Sequence, residues 1–358
     1  MIPVADRRAN IFGYRFLLTA VILFSAVSAA PGANGTPAPS TVRSTEDRVI
    51  DKAGRQIRIA SPFHRIISLY GAHTENLFAL GLDEEIVGVS RHEVFPDAAL
   101  AKPEFSYHDD PERFLAATPD LVLIRPMIDR GYPQLVTRLE KSGITVVSLQ
   151  PGSIPEMYRY WETLGMLTGR LAQAREMVRR FKKATMDFRQ TVQSVSPRKK
   201  VYFEAVHSKM KTFAPQSMPV FLLETVGGEY AATGAQSVRG TNIAAFGKER
   251  ILAAGPTIDV YLAQYGVMNR PRLEDIYTEP GFQVIKAVRN FDVYLIDESI
   301  VSRPTFRLLN GMLEIGVRLY PAIFCAEGAD ILKTASEGRP DLLSPPAPCA
   351  GEQKEVHH

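Results

Sequence analysis

The chain has 358 residues, of which 45% are hydrophobic and 23% charged, with a net charge of +3. These values are ordinary for a globular protein that buries a core, and the length fits two domains or one large two-lobed one. The charge is too small to argue for nucleic acid, and no Lys/Arg run interleaved with aromatics supports such a partner.

At the N-terminus, Arg7, Arg8 and Arg15 precede an apolar run over 16–27, followed by Ser28, Ala29 and Ala30. A basic segment, about 12 apolar residues and a small-residue exit describe a secretory signal over 1–29. The run is shorter than the roughly 20 residues of a membrane-spanning helix, which leaves an uncleaved anchor as the alternative. The signal places the protein in the periplasm, and with no Cys near the exit a lipid anchor is not expected. Residues 30–46, rich in Pro, Gly, Ala, Ser and Thr, read as a flexible leader.

Two alternating runs over 48–59, turned at Ala53-Gly54, predict a hairpin. Over 47–168 short apolar strands (65–69, 86–90, 121–124, 144–149) alternate with helices (73–80, 111–117, 132–141, 154–167), which implies a parallel sheet covered on both faces. The stretch 169–196 predicts one long helix. Leu171, Ala174, Val178, Phe181, Thr185, Phe188, Val192 and Val195 fall three and four apart, and Pro197 stops it. A coiled-coil arm is the alternative, but the stripe lacks Leu/Ile repeats; a spine against two globular halves is preferred. The pattern restarts over 197–325 with strands at 201–205, 258–262 and 293–296 and helices at 219–226, 248–254, 281–288 and 305–319. From 326 to 358 Gly, Pro and charge dominate, and a loose tail is expected. Outside the cytoplasm, Cys325 and Cys349 suit a disulfide that pins this tail, with two unrelated thiols as the alternative. The fold class is therefore α/β: two Rossmann-like lobes with parallel sheets joined by one long backbone helix. An echo links the lobes: Glu112-Arg113-Phe114-Leu115-Ala116-Ala117-Thr118-Pro119 matches Glu249-Arg250-Ile251-Leu252-Ala253-Ala254-Gly255-Pro256, each before an apolar strand.

Arg65-Ile66-Ile67-Ser68-Leu69, Thr74-Glu75, Ala79-Leu80-Gly81 and Ile86-Val87-Gly88-Val89-Ser90 resemble the first lobe of the periplasmic iron-complex/vitamin B12-binding proteins. Those proteins bind siderophores, haem or cobalamin for ABC importers. Pro119-Asp120-Leu121-Val122, Gly143-Ile144-Thr145-Val146 and Ser302-Arg303-Pro304 extend the likeness to about residue 321. The resemblance implies a ligand held between two lobes, a monomer working with an ABC permease, and an outer-membrane receptor system upstream. It also implies that Glu112 and Glu249 dock onto the permease. Read from the residues alone, both are equally well helix-start acids favoured by the helix dipole.

Ligands in α/β sheets gather at the carboxyl ends of strands. Those ends, with the adjoining loops, offer Tyr70, His73, Arg91, His92, Tyr107, Arg125, His207, Lys209, Arg239 and Arg303. Four of the seven His (His73, His92, His108 and His207) lie in expected cleft loops. Arginines pair bidentately with carboxylate or catecholate oxygens, and Tyr or His can ligate haem iron or flank a flat chelate. The set favours an anionic metal chelate over a bare cation, although a direct metal-ion binder remains the alternative. No resident cofactor or metal is expected. Enzyme readings find no GxSxG, HExxH, GxGxxG or P-loop, since Gly247-Lys248 is followed by Glu249; a metalloenzyme using His73, His92 and His207 is the remaining option.

Overall fold

The computed structural model describes residues 48–238, 241–267 and 269–345. The expected signal and leader, Arg239 and Cys349 lie outside the described residues. The chain opens with a hairpin, β1 (Arg48–Ile50) and β2 (Gln56–Arg58), in which Arg48 faces Arg58. It is pinned to the first lobe because Asp51 accepts from the Ser148 amide at 2.9 Å.

The first lobe is built from β3 (Ile66–Ser68), α1 (Gly71–Ala79), β4 (Ile86–Ser90), α2 (Asp97–Leu100), β5 (Glu104–Phe105), α3 (Pro111–Ala116), β6 (Leu121–Ile124), α4 (Pro126–Gly131), α5 (Pro133–Lys141) and β7 (Thr145–Ser148). Its sheet is parallel throughout, in the order β5-β4-β3-β6-β7. Consecutive strand residues serve opposite faces: Ile66, Leu121 and Leu123 join one core, while Ile67, Val122 and Ile124 join another with Phe105 and Phe114. Both faces are covered, as continuous apolar strands require.

α6 (Ile154–Thr168) ends at Gly169, whose φ of 69° is the left-handed cap glycine favours. α7 (Leu171–Thr191) then runs 21 residues, about 32 Å. Its buried stripe holds the expected Ala174, Val178, Phe181, Thr185 and Phe188, widened by Met177 and Ala184. The expected helix was longer: Gly169 belongs to the preceding cap, and the residues after Val192 turn towards the next strand.

The second lobe contains β8 (Lys200–Val206), β9 (Lys211–Phe213), α8 (Met218–Thr225), β10 (Glu229–Tyr230), β11 (Gln236–Ser237), β12 (Ile243–Ala245), α9 (Lys248–Ala254), β13 (Val260–Tyr265), α10 (Leu273–Thr278), α11 (Lys286–Arg289), β14 (Val293–Asp297), α12 (Glu298–Val301) and α13 (Leu308–Leu319). Its order is β11-β12-β9-β8-β13-β14, with β10 beside the start of β8. β8, β13 and β14 are parallel, while β9 turns back against β8 and β12 against β9.

The expectation of a loose tail from 326 needs correcting. Pro321 does not end the chain's order but starts α14 (Pro321–Ala335), because proline at the first helical position sacrifices no hydrogen bond. Phe324, Gly328, Leu332 and Ala335 face inward, and the Phe324 ring stacks on Phe188 of α7 at 6.0 Å. Cys325, in this helix, is disulfide-bonded. Beyond it Leu342 and Leu343 are buried, and Asn310 of α13 donates to the Ser344 carbonyl at 2.8 Å.

Candidate functional site

β3 delivers Tyr70 to the start of α1, and β6 delivers Arg125 to the start of α4. The Arg125 guanidinium lies over the Tyr70 ring, 5.1 Å from its centroid, a cation–π contact. Arg303 arrives from the second lobe, just after α12. Its Nη1 sits 2.6 Å from where a Cβ on Gly71 would be, so a larger residue there would push the guanidinium aside. The same nitrogen donates to Glu75 at 3.1 Å. Arg307 donates to Glu75 through Nε at 3.0 Å and Nη2 at 2.7 Å, a two-pronged contact between lobes with both partners buried.

Glu93 completes this group. Its Oε1 accepts from Thr74 at 3.0 Å and from Ser90, while the buried Oε2 has no hydrogen-bond partner. Burial raises the Glu93 carboxyl above the usual range against the pull of Ser90, Arg303 and Thr74. Burial likewise raises the Tyr70 hydroxyl, with Arg125 and Arg303 opposing. Burial works against the Arg303 charge, but Glu75 and Glu93 outweigh it and its pKa is raised. The arrangement is a polar floor between the lobes, with three guanidinium groups, two carboxyl groups and a phenol.

The remaining first-lobe candidates lie along the same carboxyl edge. Arg91 is exposed and pairs with Asp109 at 3.1 Å. His92 is exposed, in a left-handed conformation with φ 67°. Tyr107 packs on His108 and Tyr132, with centroid distances of 4.5 and 4.7 Å. In the second lobe His207 and Lys209 form the turn after β8. The His207 Nδ1 lies 2.8 Å from the Glu204 carboxylate, which raises its pKa despite partial burial. Lys209 is exposed.

The structure thus joins Tyr70, Arg125 and Arg303 in one group, places Arg91, His92 and Tyr107 on one flank, and sets His207 and Lys209 on the other lobe. His73 is a correction. It is fully buried, with Nε2 donating to the Ile124 carbonyl at 3.0 Å and Nδ1 accepting from the Tyr160 hydroxyl at 2.7 Å. No ring nitrogen is left for a ligand, and the metalloenzyme option built on it loses one of its three donors. Among the described residues no group of three or more His, Cys, Asp or Glu is placed to hold a metal ion. Glu75, Glu93, Arg307 and Glu204 were not foreseen as site residues. The available signal was a charged residue inside an otherwise apolar or small-residue run, as at Glu75 and Glu204.

Glu112 and Glu249 occupy the first turns of α3 and α9, and both are exposed. Glu112 pairs with Arg138 at 2.7 Å. α3 follows β5, which runs parallel with its sheet; α9 follows β12, which runs with β8 because two antiparallel steps separate them. Each helix therefore begins at the carboxyl edge of its lobe, the edge that carries the candidate ligand residues.

The family model described as "Periplasmic binding protein" matches residues 66–300. An uncharacterised ABC transporter substrate-binding lipoprotein of Bacillus subtilis (strain 168) is 24% identical over 278 residues, 76% of this chain and 85% of that protein. A vitamin B12-binding protein of Vibrio cholerae serotype O1 is 22% identical over 261 residues, covering 72% and 90%. The crystal structure of a possible iron-binding (periplasmic solute-binding) protein of Staphylococcus epidermidis ATCC 12228 superposes with a TM-score of 0.64 at 28% identity, covering 73% of this chain and all of that one. With the match running through both lobes and the helix between them, the chain belongs to the periplasmic binding protein family.

Proposed function

We propose that the protein works outside the cytoplasm, captures a metal chelate of the ferric siderophore, haem or cobalamin class between its lobes, and hands it to an ABC importer. The observation that carries this reading is the floor of Tyr70, Arg125 and Arg303, which takes groups from both lobes. Two guanidinium groups beside a phenol suit an anionic, partly aromatic cargo better than a bare cation. The relatives named for vitamin B12, iron and ABC transport support the same class. Arg91, His92 and Tyr107 on one side and His207 and Lys209 on the other would contact the periphery of the cargo. Glu112 and Glu249 would dock on the permease, since their helices start on the edge where cargo leaves.

Ferric haem, vitamin B12 and a ferric hydroxamate, each added to the purified protein and followed by visible absorption and calorimetry, test the reading. One of them should bind, and Arg125→Ala with Arg303→Ala should weaken that binding at least tenfold, as lost charge-assisted contacts predict (about 1.5–3 kcal/mol each). Failure of all three to bind would overturn the proposal. Trp161 offers a further readout, because its buried indole donates to the carbonyl of Pro304, the residue after Arg303, at 3.1 Å.

A further inference from the structure

Glu314, Val317 and Arg318 lie on one face of α13 and line a cavity of about 220 Å³. Asp297, at the end of β14, and Ile300 of α12 form the facing wall. The C-terminal segment closes the cavity at Ser344, where Asn310 donates to the Ser344 carbonyl at 2.8 Å and accepts from its amide at 3.2 Å. β14 is the edge strand of its sheet, and none of Tyr70, Arg125 and Arg303 lines this cavity. It is therefore distinct from the floor between the lobes.

Glu314 and Arg318 stand four residues apart with the acid on the N-terminal side, the arrangement that usually closes into an ion pair on a helix. Here it does not close. The Arg318 guanidinium lies over the Tyr294 ring, 5.1 Å from its centroid, and its buried Nε has no hydrogen-bond partner among the described residues. The Glu314 carboxylate likewise receives no hydrogen bond or ion pair from the described residues. Burial raises its carboxyl above the usual range, with Arg318 pulling it down and Asp297 pushing it up. Holding an acid and a guanidinium partly out of water without pairing them is costly, because each loses hydration and gains no partner in return. Ile300, Leu313 and Val317 add apolar wall to the same cavity.

We propose that this cavity is a second binding site, which takes an α-amino acid with an apolar side chain. The ammonium group pairs with Glu314, with Asp297 beside it, the carboxylate pairs with Arg318, and the side chain lies against Ile300, Leu313 and Val317. Both charges of the ligand are used: an amine alone leaves Arg318 unmatched, and a carboxylic acid alone leaves Glu314 unmatched. The volume agrees, being below the roughly 300–1,000 Å³ of pockets for larger ligands. A metal chelate of the class proposed for the cleft is too large for it, so the two sites take different molecules. Arg307 lines the same cavity while holding Glu75 of the first lobe, which sets an occupant against the contact between the lobes. The inference does not depend on which cargo the cleft carries.

The test uses the full chain and the variants Glu314→Gln, Arg318→Gln and Val317→Trp, with L-leucine and L-phenylalanine as probes. The matching amines (isoamylamine, phenethylamine) and acids (isocaproate, hydrocinnamate) serve as one-charge controls. Calorimetry and the ligand-induced rise of the thermal midpoint report binding. At least one of the two amino acids should bind, and its amine and acid should bind at least roughly tenfold more weakly, as loss of one charge-assisted contact predicts. Glu314→Gln and Arg318→Gln should each weaken the amino acid by a similar factor, and Val317→Trp, which fills the cavity, should abolish binding. All three positions are partly exposed, and circular dichroism checks each variant's fold; if one fails to fold, the other two decide. Binding of neither amino acid overturns the inference, as does binding that the folded variants leave unchanged, or an amine or acid that binds as tightly as its amino acid. Cargo binding and its dependence on Arg125 and Arg303 are read separately, so each of these results leaves the reading of the cleft untouched.

Discussion

Protonating His73 would put a charge in a fully buried position, with Arg125 near enough to oppose it. Burial, with that arginine, lowers its pKa to about 4 from 6.5. The sign follows directly: between those values the unfolded chain binds a proton that the folded one refuses, so stability falls as the pH drops through that window. The shift corresponds to roughly 3 kcal/mol. Urea unfolding of the protein and of His73→Gln at several pH values checks this. The wild type should lose stability from pH 6.5 towards 4, and the variant should lose markedly less over the same window; parallel curves would deny His73 this role. The same residue shows why the site was only partly legible. The carboxyl-end argument puts Tyr70 and Arg125 directly after strands, where the structure also has them, but it treats every residue there as a loop residue. α1 begins at Gly71, so His73 already lies in its first turn and points inward. The contacts of Glu75 with Arg303 and Arg307 join residues 228 and 232 positions apart, which no local pattern reveals.

Elements with strong periodicity or continuous apolar character were readable: β4, β6, α7 and α9 lie where the sequence put them or within a few residues. The short strands β9 to β12 were not, because two or three residues carry too little alternation to be seen. α14 was missed for a compositional reason, since Pro, Gly and Ala in its sequence resemble a tail. Here, though, Gly328 lets helices approach, and a Cβ on it would meet Leu313 of α13. Gly316 is the stricter case. A Cβ there would collide with the ring of Phe324, which is itself trapped against Phe188. Gly316→Ala should therefore destabilise the protein by roughly 1–3 kcal/mol, the usual cost of overpacking, although alanine is the better helix former. A thermal melt with an unchanged or higher midpoint would mean that α14 does not pack as described.

At the scale of the whole molecule, one core cluster runs from the hairpin through α6, α7 and the second lobe to Leu343. Polar contacts cross between the lobes as well: Glu75 holds Arg303 and Arg307, and the Pro304 carbonyl accepts from both Asn76 and Trp161. A molecule tied in this way should unfold as one cooperative unit, with a single calorimetric peak whose van't Hoff and calorimetric enthalpies agree. Glu75→Gln should move that peak down as a whole by removing the partner of two buried or half-buried cations, at a cost of about 3 kcal/mol or more. Two resolved peaks would show lobes that fold and move separately. The mechanical unity bears on delivery. If the lobes keep a fixed spacing, Glu112 and Glu249 form a two-point contact that sets orientation on a two-fold partner, and exposed charges of this kind act mainly on encounter and register. Replacing both with Ala should abolish uptake in cells carrying the cognate importer while the cargo affinity of the purified protein stays the same. Each single replacement should leave partial uptake, and the residual activity of the single variants should fall as ionic strength rises, because screening shortens the reach of the remaining charge. Uptake unchanged in the double variant would remove the docking role from both residues, and a loss of cargo affinity would move them into the binding site instead.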